Sequence, residues 1–171
     1  TNHYGGNTII GGSGAGERNG IGLNGENGIH LNGVKLATIQ NNYIGVRSEG
    51  AFDSGNGGHG ILIENGSNNN VIGGSSVSGE GNRINYNDQD GIRIEGATSN
   101  HNFVYGNIIG APVNWAWEAG NDHHGIGIYD GAHHNTIGTN NTSLGNIVVS
   151  SGWSGVVVHD GEGNTIEGNH I

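Results

Sequence analysis

The stretch QDGIRIEGATSNHNFVYGNIIG, residues 89–110, decides the fold of this chain. It holds three short apolar runs in order: Gly91-Ile92-Arg93-Ile94, Asn102-Phe103-Val104 and Asn107-Ile108-Ile109. Gly and Asn punctuate them, which is turn chemistry between strands. Alternation in the first run sets Ile92 and Ile94 on one side and Arg93 and Glu95 on the other. No run is long enough to fold alone, so the reading depends on whether the set recurs.

It recurs along the whole chain. The Gly-Ile-x-Ile run returns at residues 28–31, 60–63, 91–94, 125–128 and 155–158. An Asn-Thr-Ile-like run stands at Asn7-Thr8-Ile9, Ala37-Thr38-Ile39, Asn70-Val71-Ile72, Asn102-Phe103-Val104, Asn135-Thr136-Ile137 and Asn164-Thr165-Ile166. An Asn-x-Ile run follows each of these, at Asn19, Asn42, Asn82, Asn107, Asn146 and Asn169. Measured apolar to apolar, the first of these motifs is followed by the second after 12, 5, 12, 5, 11 and 5 residues, and the second by Gly-Ile-x-Ile after 8, 17, 8, 17 and 8. A turn of about 30 residues therefore carries three strands, and the long insertion moves between two corners on alternate turns. The sequence period is two turns, 63 residues from Ile9 to Ile72 and 65 from Ile72 to Ile137.

Three short strands per turn with one aliphatic column each describe a parallel β-helix of about 5.5 turns, a single all-β domain over residues 1–171. Each strand is expected to pair with its equivalent about 4.8 Å away. The crossover rule makes the coil right-handed. Stacked aliphatics fill a narrow core, which reconciles the fold with 32 % hydrophobic residues and 37 Gly. The corner asparagines read as structural ladders, tolerating left-handed backbone and bonding amide to amide between turns, with one failure at Ala37.

Formal charge is −10 with five Lys plus Arg, which argues against nucleic-acid partners. No apolar run approaches a membrane span. No signal-peptide pattern opens the chain at Thr1, so any such segment is expected to have been removed or to lie outside this stretch. Without Cys there is no thiolate or disulfide chemistry.

The succession NTIIGG…GERNGI, GIHLNG, ATIQNNYIG and GHGILIENG resembles the right-handed parallel β-helix repeats of large bacterial extracellular proteins, the solenoid fold shared by polysaccharide lyases. The resemblance covers essentially the whole chain. It implies an extracellular or cell-surface location and leaves lyases, epimerases, adhesins and spacers open, because fold alone assigns no reaction. Thr1 aligns with the end of a Gly-Ile-x-Ile strand and Ile171 with the end of an Asn-x-Ile strand, so the ends are nearly complementary. Either a longer solenoid or end-to-end self-association into filaments fits open ends of this kind.

Candidate sites are outward-facing. Glu64, Glu95, Tyr129 and His159 form an outer column of the Gly-Ile-x-Ile strands. If the chain is a polysaccharide-active enzyme, these are its catalytic residues, with Glu64 and Glu95 close enough to share a proton or hold a cation. Phe52, Tyr86, Trp115, Trp117 and Trp153 all fall between the Asn-x-Ile and Gly-Ile-x-Ile motifs, an aromatic corner suited to stacking on sugar rings or a partner subunit. His101 and His134 precede equivalent asparagines in consecutive turns and could hold Zn²⁺ weakly, lacking a third strong ligand. Asn87, Asp88 and Asp90 offer oxygens for Ca²⁺, though common surface-turn composition explains them equally well. In NDHHGIGIYDGAHHN, residues 121–135, the two His doublets lie at opposite ends of one strand and cannot share a metal. An isolated His59-Gly60 is too weak a signal to use, and no cofactor is called for beyond loosely held Ca²⁺. The expected function is a non-catalytic structural or adhesive solenoid with carbohydrate-contacting edges, the polysaccharide-active enzyme being the alternative.

Overall fold

A computed structural model describes residues 7–46, 53–76, 78–111, 119–141 and 143–171. These residues wind into three parallel sheets. The first stacks β1 (Ile9–Gly11), β4 (Thr38–Gln40), β7 (Val71–Gly73), β10 (Phe103–Tyr105), β13 (Thr136–Ile137) and β16 (Thr165–Ile166). The second stacks β2 (Gly20–Ile21), β5 (Tyr43–Ile44), β8 (Arg83–Ile84), β11 (Ile108–Ile109) and β14 (Ile147–Val148). The third stacks β3 (Ile29–Asn32), β6 (Ile61–Glu64), β9 (Ile92–Glu95), β12 (Ile126–Tyr129) and β15 (Val156–Val158). Every strand pairs in parallel with its equivalents in adjacent turns, so the chain is a parallel β-solenoid with three strands per turn, as the spacing predicts. A 3-10 turn at Ala15–Glu17 is the only helical element among the described residues, and no helix is long and apolar enough to cross a membrane.

The core is a set of aliphatic columns. Ile29, Ile61, Ile92 and Ile126 stack in register, as do Leu31, Ile63, Ile94 and Ile128 one alternation further on. Both sets are buried, with Arg93 and Glu95 left outside. Burying an aliphatic side chain of this size stabilises by about 1.5–3 kcal/mol. Short rungs therefore cohere only by stacking on one another.

The first turn departs from the expected register. Ile10, and not Ile9, pairs with Ile39, and Ile9 stands 63 % exposed. The cause is the glycine after the inward residue. A Cβ at Gly11 would meet the Gln40 carbonyl oxygen at 1.9 Å, and one at Gly73 would meet the Tyr105 oxygen at 1.9 Å. Both glycines also have positive φ, 86° and 94°. That requirement aligns NTIIGG on its first glycine and moves Asn7 out of the ladder, so Thr8 as well as Ala37 lacks the ladder amide.

The ladders themselves are continuous. In the second, Asn19, Asn42, Asn82, Asn107 and Asn146 each pass an amide N–H to the next Oδ1, ending at Asn169. Asn82 shows the full set: Nδ2 donates to Ile39 O at 2.8 Å and Asn107 Oδ1 at 2.9 Å, and Oδ1 accepts from Asn42 N and Nδ2 at 3.0 Å each. The first ladder runs Asn70, Asn102, Asn135 and Asn164. A third, not anticipated, runs Asn24, Asn56, Asn87 and Asn121 with 2.7 Å amide bonds. Its next place is Ser151, whose buried hydroxyl has no hydrogen-bond partner among the described residues. The left-handed backbone expected of the ladder asparagines belongs instead to residues just before them: Leu36, Asn69, His101 and His134 in the first ladder, and Asn41 in the second. The ladder asparagine keeps ordinary φ so that its amide can point into the stack.

Candidate functional site

The outer face of the third sheet gathers the chemistry. Just before each strand's glycine lies a column of hydrogen-bond acceptors. Asn27 Oδ1 accepts from His59 N at 2.8 Å, His59 Nδ1 from Asp90 N at 3.1 Å, Asp90 Oδ1 from His124 N at 3.0 Å, and His124 Nδ1 from Ser154 N at 3.2 Å. Two histidines and an aspartate thus do what an asparagine does at the start of the column: they satisfy an amide of the next turn. Both imidazoles present an unprotonated Nδ1. Burial pushes the His59 pKa below its ordinary value, with the Asp90 carboxylate partly opposing.

Asp90 is 1 % exposed. Its Oδ2 lies 3.4 Å from Arg93 Nη1 and 3.7 Å from His59 Nδ1. Arg93 Nε donates to Glu95 Oε2. The Arg93 guanidinium also lies over the Tyr129 ring, 3.9 Å from its centroid. Burial opposes the Arg93 charge, but the bond to Glu95 and the two carboxylates outweigh it and raise its pKa. The Tyr129 phenol is pushed up, first by burial and then by the Asp90 charge.

Tyr129 can lie on the sheet because its neighbour has no side chain. A Cβ at Gly127 would meet Tyr129 Cε2 at 2.3 Å. Beyond Tyr129, the His124 centroid is 6.3 Å away and His159 6.4 Å. Trp153 is stacked on His123, centroids 4.1 Å apart and planes 8° from parallel, with His124 edge-on at 5.2 Å. A backbone bond, Trp153 N to His123 O at 2.9 Å, holds the two rings in adjacent turns. Trp153 is nonetheless 65 % exposed. The result is a shelf of aromatic and imidazole faces beside the Arg93–Glu95 ion pair.

No family model, curated protein or solved structure matches the chain, so the face is interpreted from its own geometry. Glu95, Tyr129 and His159 are brought together as the spacing predicts. Glu64 and Glu95 do not form a carboxylate pair: Glu64 Oε1 is bonded to His30 Nε2 at 2.8 Å and to Asn65 Nδ2 at 3.1 Å, while Glu95 is bonded to Arg93. Of the aromatic corner, Phe52, Trp115 and Trp117 lie outside the described residues. Tyr86 and Trp153 do not share a column. Tyr86 is the left-handed residue before ladder Asn87, with φ 58°, whereas Trp153 joins the third-sheet face.

His101 and His134 do stack, centroids 5.5 Å apart and planes 15° from parallel. Their rings turn to local partners, His101 Nδ1 to Asn100 Oδ1 at 2.8 Å and His134 Nδ1 to His133 Nδ1 at 2.7 Å. Of the weak Ca²⁺ candidates at residues 87–90, Asn87 Oδ1 accepts from Asn56, and Asp90 is buried against His59, Arg93 and the His124 amide. Among the described residues no group of three or more His, Asp or Glu is placed to hold a metal ion. His59, too weak a signal in the sequence alone, and His123 and His124, read there only as a strand-end doublet, join this face. Their signal was the acceptor preceding each strand-three glycine and the ring two residues before it.

Chemically, the shelf suits an uncharged, ring-shaped ligand with polar edges. Aromatic faces take the C–H side of such a ring, and the Tyr129 hydroxyl, imidazoles and Arg93–Glu95 pair supply donors and acceptors at its rim.

Proposed function

We propose that this chain is a non-catalytic structural and adhesive solenoid that contacts carbohydrate through the outer face of its third sheet. The observation that supports it is the Trp153–His123 stack: a large aromatic face held rigid by its neighbour yet 65 % exposed. Exposed aromatic surface of this kind marks an interaction site. The scaffold part rests on the ladders and columns, which make each rung a repeat of the last. An extracellular or surface setting and end-to-end association of copies belong to the same reading.

The test is retention of the chain on immobilised neutral polysaccharides. Wild type is expected to be retained and eluted by soluble oligosaccharide, with retention lost in Trp153→Ala. Product release from any polysaccharide, abolished by Glu95→Gln, would replace this reading with an enzyme acting at the same face.

A further inference from the structure

A second face of the solenoid carries a cationic groove that the third-sheet reading does not use. The chain has only five Lys plus Arg against a formal charge of −10, yet two of its arginines, Arg18 and Arg83, line one concavity on the outside of the second sheet. Its volume is about 180 Å³, and Arg18, Tyr43, Ser76, Arg83, Gly106 and Ile108 line it. Past Ser76, Gly106 and Ile108 it continues as a depression of about 240 Å³ toward Ile147 and His170. Tyr43, Arg83, Ile108 and Ile147 are register partners on successive strands, so the groove runs along the stack axis.

Arg18 is fixed in place by neutral groups. Its Nε and Nη2 donate to Asn41 Oδ1 at 3.0 and 2.7 Å, and Nη1 donates to Tyr43 Oη at 3.1 Å. Its Cζ sits 4.3 Å from the Tyr43 ring centroid. Among the described residues, no ion pair involves Arg18. The nearby carboxylates are occupied on their own loops: Glu17 accepts from Gly14 N at 2.7 Å and Glu80 from Ser75 N at 2.8 Å. A guanidinium has five N–H donors, so Arg18 keeps donors beyond those used, on a side chain whose ordering is already complete. Burial lowers the Arg83 pKa, with the Tyr43 phenol opposing and the Arg18 charge adding the smallest part. Both arginines border one groove that continues past Ile108 toward Ile147.

We propose that the second-sheet groove binds a carboxylate-bearing saccharide chain, Arg18 taking the carboxylate beside Arg83 on the groove wall, and the half-buried Ile108 and Ile147 taking the sugar faces. Planar guanidinium matches a carboxylate with two parallel N–H bonds. The strongly negative net charge repels a polymer as densely anionic as a nucleic acid. A chain with carboxylates spaced by neutral sugars meets the local positive charge with less of that repulsion. The proposal is independent of the Trp153 face.

The test is calorimetry and backbone NMR with a hyaluronan hexasaccharide, its carboxyl-reduced counterpart and acetate. The hexasaccharide is expected to bind and to shift second-sheet resonances. Binding should weaken at least tenfold on carboxyl reduction and in Arg18→Gln, less in Arg18→Lys, and not at all in Trp153→Ala. Thermal melts matching wild type ensure that Arg18→Gln reports binding. No binding, equal binding of the reduced oligomer, equal binding by Arg18→Gln, or acetate binding as tightly as the hexasaccharide overturns the proposal.

Discussion

Trp153 lies flat on His123, their centroids 4.1 Å apart and their planes within 8°. The two residues belong to consecutive turns and are tied through their backbones by Trp153 N to His123 O. The stack is therefore built by the solenoid register, not by a local loop. His123→Ala, which leaves Trp153 without its support, should weaken saccharide binding by about tenfold, or ~1.4 kcal/mol. Titration of His123→Ala beside Trp153→Ala checks this; unchanged affinity in both would remove the stack from the site.

Gly127 holds the other end of the shelf. Its register partner Val157 shows that the column accepts a β-branched residue. Gly127→Val should therefore fold, lift Tyr129 off the sheet and break its contact with Arg93. The expected outcome is a near-wild-type melting temperature with saccharide affinity reduced severalfold. A melting temperature lowered by ten degrees or more would show that Tyr129 packing stabilises the fold instead.

The interior ladders carry stability unequally. Asn82→Ala leaves Asn42 N without its acceptor and removes the Asn82 donations to Ile39 O and Asn107 Oδ1, while Asn42 Nδ2 keeps Ile10 O and Gln40 O. Leaving that buried amide unsatisfied should cost about 1–3 kcal/mol. Asn19→Ala, at the exposed end of the same ladder, should cost under ~1 kcal/mol. Urea unfolding of both variants measures the difference.

His59 makes stability pH-dependent. Burial holds its folded pKa below the ordinary 6.5, with Asp90 and Glu95 opposing and Arg93 and His123 reinforcing. Below about pH 6.5 the unfolded chain binds the proton first, so stability is full above that pH and declines as pH falls toward the folded value. His59→Gln keeps an acceptor for Asp90 N and removes the titration. Its urea midpoint should fall less than wild type's between pH 7.5 and 5.5. Identical declines would contradict the assignment.

The architecture was legible because each rung repeats: Ile92 and Ile94 alternate, and Asn107 returns as Asn146 and Asn169. Two details were not. The first-turn register was misread because apolar matching treats Ile9 and Ile10 alike, while the Gly11 contact with Gln40 O decides between them. The Asn24–Asn56–Asn87–Asn121 ladder was hidden in loops of unequal length, and only counting back from the strand-three glycine reveals it. The site was legible in its strand residues, Glu95 and Tyr129, whose direction follows from alternation. His123 under Trp153, and Arg18 over Tyr43, depend on how corners superpose in space.

The most direct measurement follows the Trp153 indole N–H by NMR while neutral oligosaccharides are added, with the same samples assayed for cleavage or epimerisation. A saturable shift of that resonance, lost in His123→Ala and unaccompanied by any product, is the predicted result. Product formation, or saturable binding that leaves the Trp153 resonance unmoved, would contradict the account.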